Sequence, residues 1–269
     1  MTPFRELHRQ GCFVMPNPWD AGSARYLQHL GFRALATTSA GMAFSMGQPD
    51  GGVSRAAALQ HIRAIVETVD VPINADFESG YAADAAGVAE SVKLCIATGV
   101  AGLSIEDSSE RGLRELPEAV ERLRAARAAV DASGKEVVLT GRAECFLLGH
   151  PDALRESLRR LEAYAAAGAD CLYAPGLRTR EDVAAVVKAV APKPVNVLVA
   201  APTFTVRELE DLGVRRISVG GALARAAYGA FMSAAEEIAR EGTFSALGRA
   251  RPHAELNAFF REAGRFRDG

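Results

Sequence analysis

The sequence predicts a (β/α)8 TIM barrel with a helical extension at its C-terminal end. Three observations carry that prediction. Short β-rich runs alternate with longer helical patterns, the alternation occurs eight times, and the 269 residues suit the roughly 250 that such a barrel takes. Most of the β-rich runs are apolar throughout, as parallel strands covered on both faces should be. A doubly wound sheet is the alternative, but it usually has fewer strands and a recognisable switch point.

In chain order the strands are expected at Cys12–Met15, Ala34–Thr38, Ile73–Phe77, Gly102–Glu106, Val137–Thr140, Cys171–Ala174, Val195–Val199 and Ile217–Val219. Ala21–His29 reads as the first helix. Ser54 is placed to cap Arg55–Val69, where Leu59, Ile62, Ile65, Val66 and Val69 form an apolar stripe. Asp84 can cap Ala85–Thr98. Leu116-Pro117 opens a helix to Ala132, with proline in the first turn, where its missing N–H costs nothing. Pro151 opens the next helix, which ends near Ala167-Gly168. Thr179 starts Arg180–Val190, and Thr205 with Glu208 has capping-box spacing. Gly220-Gly221 leads into Ala222–Arg240, and Phe244–Ala263 continues past the eighth unit. With no linker and no composition break, one domain over 1–269 is expected, with 244–269 as the extension.

Composition excludes several classes. Hydrophobic residues make up 49% and charged residues 24%, and the net charge of −2 gives no general attraction to nucleic acid or an anionic membrane. No apolar run approaches the roughly 20 residues of a membrane span. The first ten residues are amphipathic and lack a signal-peptide core. Cys12, Cys95, Cys145 and Cys171 form no CxxC pair, so neither a disulfide framework nor a zinc site is expected, and the cytoplasm is the expected compartment.

Catalytic groups of such barrels lie at the C-terminal ends of the strands. The third strand runs into Asn74, Asp76 and Glu78, which share one face if the strand stays extended. The fourth ends Ser104-Ile-Glu106-Asp107 and the fifth Thr140-Gly-Arg142-Ala-Glu144; the seventh carries Asn196. Carboxylates at the ends of adjacent strands repel one another unless a cation lies between them, and without His or Cys they select Mg2+ or Mn2+. Arg142 reads as a fork for a substrate carboxylate or phosphonate, or as a salt bridge to Glu106 or Glu144. Ser39-Ala40-Gly41 reads as a turn whose N–H groups can face an anion, or as a plain turn. Gly220-Gly221 reads as a phosphate grip or as close packing. The lysines, Lys93, Lys135, Lys188 and Lys193, are all placed away from the barrel mouth, which disfavours Schiff-base chemistry.

Asp76-Phe-Glu-Ser-Gly-Tyr81, Ile105-Glu-Asp107, Gly141-Arg-Ala-Glu144, and Ser39-Ala-Gly41 with Asp50 stand in the order and spacing of the isocitrate lyase/phosphoenolpyruvate mutase superfamily, which the chain resembles over nearly the whole barrel. The resemblance implies a bound Mg2+ and an α-oxo acid or related enolate. It implies Asp76 as the direct metal ligand, with Glu78 and Glu106 acting through water. It also implies Ser39, Ala40 and Gly41 at the substrate carboxylate, Arg142 at the oxo-acid end and Asp50 as the acid beside the site. Arg142, Glu106 and Asp50 are thus the expected catalytic residues, and Asn196 is added to the substrate contacts. Helix swapping between subunits is a further implication, and with it a homodimer or homotetramer.

Two departures bear on the reaction. Isocitrate and methylisocitrate lyases carry a K-[KR]-C-G-H loop after the strand-four acid, where this chain has Asp107-Ser-Ser-Glu-Arg-Gly-Leu-Arg114. The mutase has a gating loop with Asn and His after strand six, where this chain has Tyr173-Ala-Pro-Gly-Leu177. The expected activity is therefore Mg2+-dependent carbon–carbon cleavage or decarboxylation of a small oxo- or 2-hydroxy-polycarboxylate. Carbon–phosphorus chemistry and a non-catalytic oxo-acid-binding barrel are the alternatives.

Overall fold

A computed structural model describes residues 3–265. The chain divides into two compact units, Met1–Gly221 and Ala222–Gly269. The break falls before the helix that follows the eighth strand, earlier than the extension expected from residue 244.

The first unit holds eight parallel strands: β1 Phe13–Val14, β2 Leu35–Ala36, β3 Ile73–Asp76, β4 Gly102–Glu106, β5 Val138–Arg142, β6 Cys171–Tyr173, β7 Val195–Leu198 and β8 Arg216–Ser218. They are ordered β1-β8-β7-β6-β5-β4-β3-β2, so β1 and β2 stand at the two ends of the ladder. That seam is bridged by Ala36 N–H to Pro16 O at 3.1 Å. Asn17 completes it, donating from Nδ2 to Thr37 O at 2.9 Å and accepting at Oδ1 from Val219 and Gly220 N–H, each at 2.9 Å. The result is a TIM-barrel-like fold, as the alternation predicts. Strand ends move by a residue or two; β5 runs on to Arg142 because its register pairs Glu106 with Arg142 and Arg142 with Tyr173.

Helices α1 Ala21–His29, α2 Ser39–Ser45, α3 Arg55–Val66, α4 Ala85–Ile96, α5 Leu116–Ala132, α6 Ala153–Ala166, α7 Arg180–Val190 and α8 Val206–Asp211 follow the strands. Ser54, Asp84, Thr179 and Thr205 each accept an N–H of the first turn, the capping that their chemistry favours. Pro151 lies just ahead of α6 rather than inside its first turn. Two elements are unforeseen. Ser39–Ser45 is a short helix, not a turn, and Ser108–Ser109 pairs antiparallel with Gly112–Leu113 as a small hairpin.

The apolar strand residues, among them Leu35, Ile73, Leu103, Leu139 and Leu172, pack in one core with the inward stripes of the helices. Each such side chain contributes about 1.5–3 kcal/mol by leaving water. At the N-terminal end of the barrel Phe4 lies over Gly102, where a Cβ would come within 2.7 Å of its ring. Phe4, His8 and Phe13 meet edge to face there. Arg216 is buried beside them, donating to Asn196 Oδ1 at 2.9 Å, Thr140 Oγ1 at 2.9 Å and His8 Nε2 at 3.3 Å.

The second unit consists of α9 Ala222–Glu241, a 3-10 turn Ser245–Arg249 and α10 His253–Arg265. The Glu237 carboxylate ties the turn to α9 by accepting from Thr243 Oγ1, from Ser245 N–H and Oγ, and from Ala246 N–H. Phe231, Met232, Phe244, Leu247, Leu256 and Phe260 are exposed. No described helix is long and apolar enough to cross a membrane.

Candidate active site

Three adjacent strands deliver the charged groups. Asp76 ends β3, Glu106 ends β4 and Arg142 ends β5; the register pairs Glu106 with Arg142 and sets Asp76 beside Ser104, two residues earlier on β4. Arg142 Nη1 lies 3.1 Å from Asp76 Oδ1 and 3.1 Å from Glu106 Oε2. Its Nε donates to Glu144 Oε1, and its Cζ stands 5.3 Å from the centre of the Tyr173 ring, a cation–π contact. Glu144 is held in turn by its own N–H, which donates to Asp107 Oδ1 at 2.8 Å. Asp107 is buried and structural; its Oδ2 accepts from Arg160 at 3.0 Å and from the Tyr164 hydroxyl.

The other oxygen of Asp76 faces α2. Oδ2 accepts from Ser39 N–H at 3.0 Å and from Ser39 Oγ at 2.9 Å. Thr38 caps the helix by accepting Gly41 N–H at 3.2 Å. Ser39, Ala40 and Gly41 are thus the first turn of a helix, and one of its end donors is already turned on Asp76 rather than free.

Glu78 departs from the expected face. The strand ends at Asp76, and the backbone turns into the left-handed region, with φ 45° at Glu78, 87° at Gly80 and 50° at Tyr81. Left-handed backbone at the two non-glycine positions costs of order 1–3 kcal/mol each. The turn is held by Glu106 N–H to Glu78 O at 3.0 Å and by the Tyr81 hydroxyl, which donates to Glu78 Oε1 at 2.6 Å. Asn74 stays inside the strand, buried, with Nδ2 donating to Ala75 O at 3.2 Å.

The electrostatics are those of crowded acids. Burial, helped by Asp76 and Glu106, pushes Glu78 up to about 7 against the hydrogen bond from Tyr81. Burial also raises Glu106, and pushes Glu144 up to about 7, in both cases against the pull of Arg142. Asp50 is raised by desolvation and then by the Asp76 charge. Burial works against the Arg142 cation, yet Glu106, Glu144 and Asp76 outweigh it and raise its pKa. One guanidinium therefore pairs with three carboxylates, those of Asp76, Glu106 and Glu144, while Glu78 and Asp50 add their charge to the same cluster, which is short of positive charge.

A hard divalent cation fits that shortage, since every available ligand is oxygen. Among the described residues no three His, Cys, Asp or Glu side chains form a ready cage. Mg2+ needs none, because it keeps several waters and takes one or two carboxylates.

Of the residues expected from sequence, Asp76, Glu78, Glu106, Arg142 and Ser39 meet here, with Asp50 beside Asp76. Asn196 does not join them. Its amide is spent on Ser218 Oγ at 2.9 Å and on Arg216, inside the barrel. The expectation of a substrate contact is corrected to a core role, because a strand's polar residue can face the packed interior as readily as the mouth.

The salt bridges of Arg142 to Glu106 and Glu144 are the alternative that the sequence offered for it; sequence reasoning missed Tyr173 beneath its guanidinium, and Tyr81 and Arg122 around the Glu78 turn. Arg122 left a signal. It stands among Ala119, Leu123 and Ala126, at the spacing of the buried face of α5, where a charge is out of place.

An acid-rich, arginine-bridged cluster at the strand ends of a (β/α)8 barrel stands where enzymes of this fold carry their chemistry. A family model for phosphoenolpyruvate phosphomutase matches residues 4–239, and the chain belongs to that family, within the isocitrate lyase/phosphoenolpyruvate mutase superfamily of lyases and mutases. A crystal structure from Burkholderia cenocepacia, described provisionally as a lyase/mutase, superposes with a TM-score of 0.93 at 46% identity, covering 96% of this chain and 95% of that one. An uncharacterized protein of Mycobacterium tuberculosis is 32% identical over 257 residues, 95% of each chain. An oxaloacetate decarboxylase of Paraburkholderia xenovorans is 29% identical over 227 residues, 80% of this chain and 73% of its own.

Proposed function

We propose that the protein is a Mg2+-dependent carbon–carbon lyase acting on a small oxo- or 2-hydroxy-polycarboxylate, by Claisen-type cleavage or decarboxylation. The observation that carries this reading is the single Arg142 nitrogen shared by Asp76 and Glu106 inside an excess of carboxylates. Asp76 would hold the cation directly, with Glu78 and Glu106 through water, and Mn2+ would serve in its place. Bound there, the cation would supply positive charge to the carbonyl and carboxylate oxygens of an oxo acid, which would make labile a bond on the carbon beside that carbonyl, its electron pair passing into an enolate.

The chain's own residues do the rest. The first turn of α2, Ser39 to Gly41, receives the substrate carboxylate. Arg142, locked by Glu144 and the Tyr173 ring, orients the oxo-acid end. Glu106 and Asp50, both with raised pKa values, exchange the proton that accompanies bond cleavage. Decarboxylation asks least of this site, since it needs no cysteine acid at the step that breaks the bond. The 108–113 hairpin follows the strand-four acid, where isocitrate and methylisocitrate lyases carry the cysteine loop in their sequence, and its lack of Cys supports this choice. The oxaloacetate decarboxylase relative supports it too.

Carbon–phosphorus chemistry is the second reading, favoured by the match to a phosphomutase family model. The exposed apolar side chains of the second unit support a homo-oligomer, a dimer or tetramer, in which those faces are covered. The test is turnover of oxaloacetate, isocitrate, methylisocitrate and phosphonopyruvate with Mg2+, with Asp76→Ala as control. Turnover of a polycarboxylate that EDTA abolishes is the expected result. Turnover of phosphonopyruvate alone favours the second reading. An oxo acid that raises the melting temperature without turnover makes the barrel a binding protein. Activity and binding indifferent to EDTA overturn the metal.

A further inference from the structure

The turn that presents Glu78 is strained, and it is held from behind by a side chain on another element. Arg122 of α5 is 1% exposed, yet makes no salt bridge among the described residues. Its guanidinium is spent on backbone carbonyls of this one turn and the residues after it. Nη2 donates to Ser79 O at 2.8 Å and to Ala82 O at 2.8 Å, and Nη1 donates to Ala83 O at 3.1 Å, while Nε has no partner. A buried arginine with only carbonyl partners is costly, and left-handed backbone at Glu78 and Tyr81 is costly too. Such costs persist where the surrounding structure over-determines a shape that matters. From the front, Tyr81 fixes the carboxylate itself. Its hydroxyl occupies Oε1 of Glu78, its ring packs 5.1 Å from that of Phe77, and Oε2 carries no partner among the described residues. A side chain at Gly80 between them would be strained, because φ there is 87° and a Cβ would meet Val88 at 3.1 Å.

We propose that Arg122 and Tyr81 are positioning residues that clamp the 78–83 segment from opposite sides, so that Glu78 presents its free oxygen to the metal site. Arg122 sets the path of the backbone, and Tyr81 sets the carboxylate's rotation. Neither touches the substrate. The proposal rests on Glu78 belonging to the metal's water shell, as read in the preceding subsection.

The test separates the two. Amide hydrogen exchange over residues 77–84 and titration with Mn2+ alone, followed by electron paramagnetic resonance, are compared in wild type, Tyr81→Phe and Arg122→Lys. Tyr81→Phe keeps the ring and therefore the fold, which protects the test should Arg122→Lys be too unstable to study. The expected result is faster exchange confined to this segment in Arg122→Lys, and Mn2+ affinity about tenfold weaker in both variants. In a Glu78→Gln background, Tyr81→Phe should add no further loss, since the hydroxyl acts through that carboxylate. Unchanged exchange in Arg122→Lys overturns the clamp. Wild-type Mn2+ affinity in both variants overturns the positioning of Glu78. A wild-type protein that binds no Mn2+, or an Asp76→Ala variant that binds it as well as wild type does, overturns the metal reading; the exchange result then decides on the clamp alone.

Discussion

At Arg142 charge alone does not explain the geometry. Nη1 bridges two carboxylates, Nε engages a third, and the flat face lies on Tyr173, a combination that needs a planar fork. Arg142→Lys keeps the charge and loses that fork, so kcat/KM should fall by about 100-fold or more. A steady-state assay of the variant checks this, and near-wild-type activity would reduce Arg142 to charge balance. His8 is a second informative residue. Its Nδ1 pairs with Phe4 O at 2.9 Å and its Nε2 faces the Arg216 donor at 3.3 Å, so the ring is neutral with the proton on Nδ1. Burial, and then Arg216, pull its pKa down to about 3 from 6.5. The folded state therefore rejects the proton that the unfolded chain takes up. Stability from this residue is complete above pH 6.5 and is lost as pH falls from there toward 3, by about 2 kcal/mol at pH 5. His8→Gln keeps an acceptor for Arg216 and removes the titration. Denaturant melts of the two proteins should diverge in slope between pH 6.5 and 4, and parallel curves would refute the assignment.

At the level of elements, α2 shows how a short helix places a site group. Seven residues are too few for a helix to stand on propensity, so the cap and the packing decide. Thr38→Ala should cost about 1 kcal/mol, near 2–4 °C in melting temperature, while Thr38→Ser retains the cap. Thermal melts of the pair test it. The β5 strand has an opposite constraint. Gly141 brings β5 against α5 and α6, and a Cβ there would lie 2.9 Å from Tyr164 Cβ and 3.3 Å from Ala169 Cβ. Gly141→Ala should destabilise by about 1–3 kcal/mol, and because Arg142 is the next residue, activity should fall more than stability alone explains. A fully active Gly141→Ala protein would show that the helices give way.

On the scale of the whole molecule, the barrel unit buries its core while the second unit leaves Phe231 at 64% and Phe244 at 62% exposure. Exposed large apolar side chains, where they lie together, are the material of association surfaces. Light scattering after gel filtration should find a homo-oligomer, and a Phe231→Glu/Met232→Glu double variant should shift it toward monomer. A monomeric wild type at micromolar concentration would refute the association.

Periodicity and capping chemistry were sufficient to place eight strands and most helices, because apolar runs and N-caps are local signals. The acids and Arg142 were equally legible, since chemistry at the ends of consecutive strands converges by topology alone. Residue 74 and its successors show the limit. Alternation put Asn74, Asp76 and Glu78 on one face, but the backbone left the strand after Asp76, and only the packing of Arg122 and Tyr81 could tell where Glu78 would go. Asn196 fails for the same reason, as strand position does not say whether a side chain meets the mouth or Arg216. What the sequence by itself determined was the barrel, its family and the identity of the charged groups. Tertiary structure alone decided which groups touch, since the contacts of Arg142 with Asp76, of Arg122 with Ser79 and of Asp107 with Glu144, Arg160 and Tyr164 join residues 37 to 66 positions apart, a separation that no local pattern encodes.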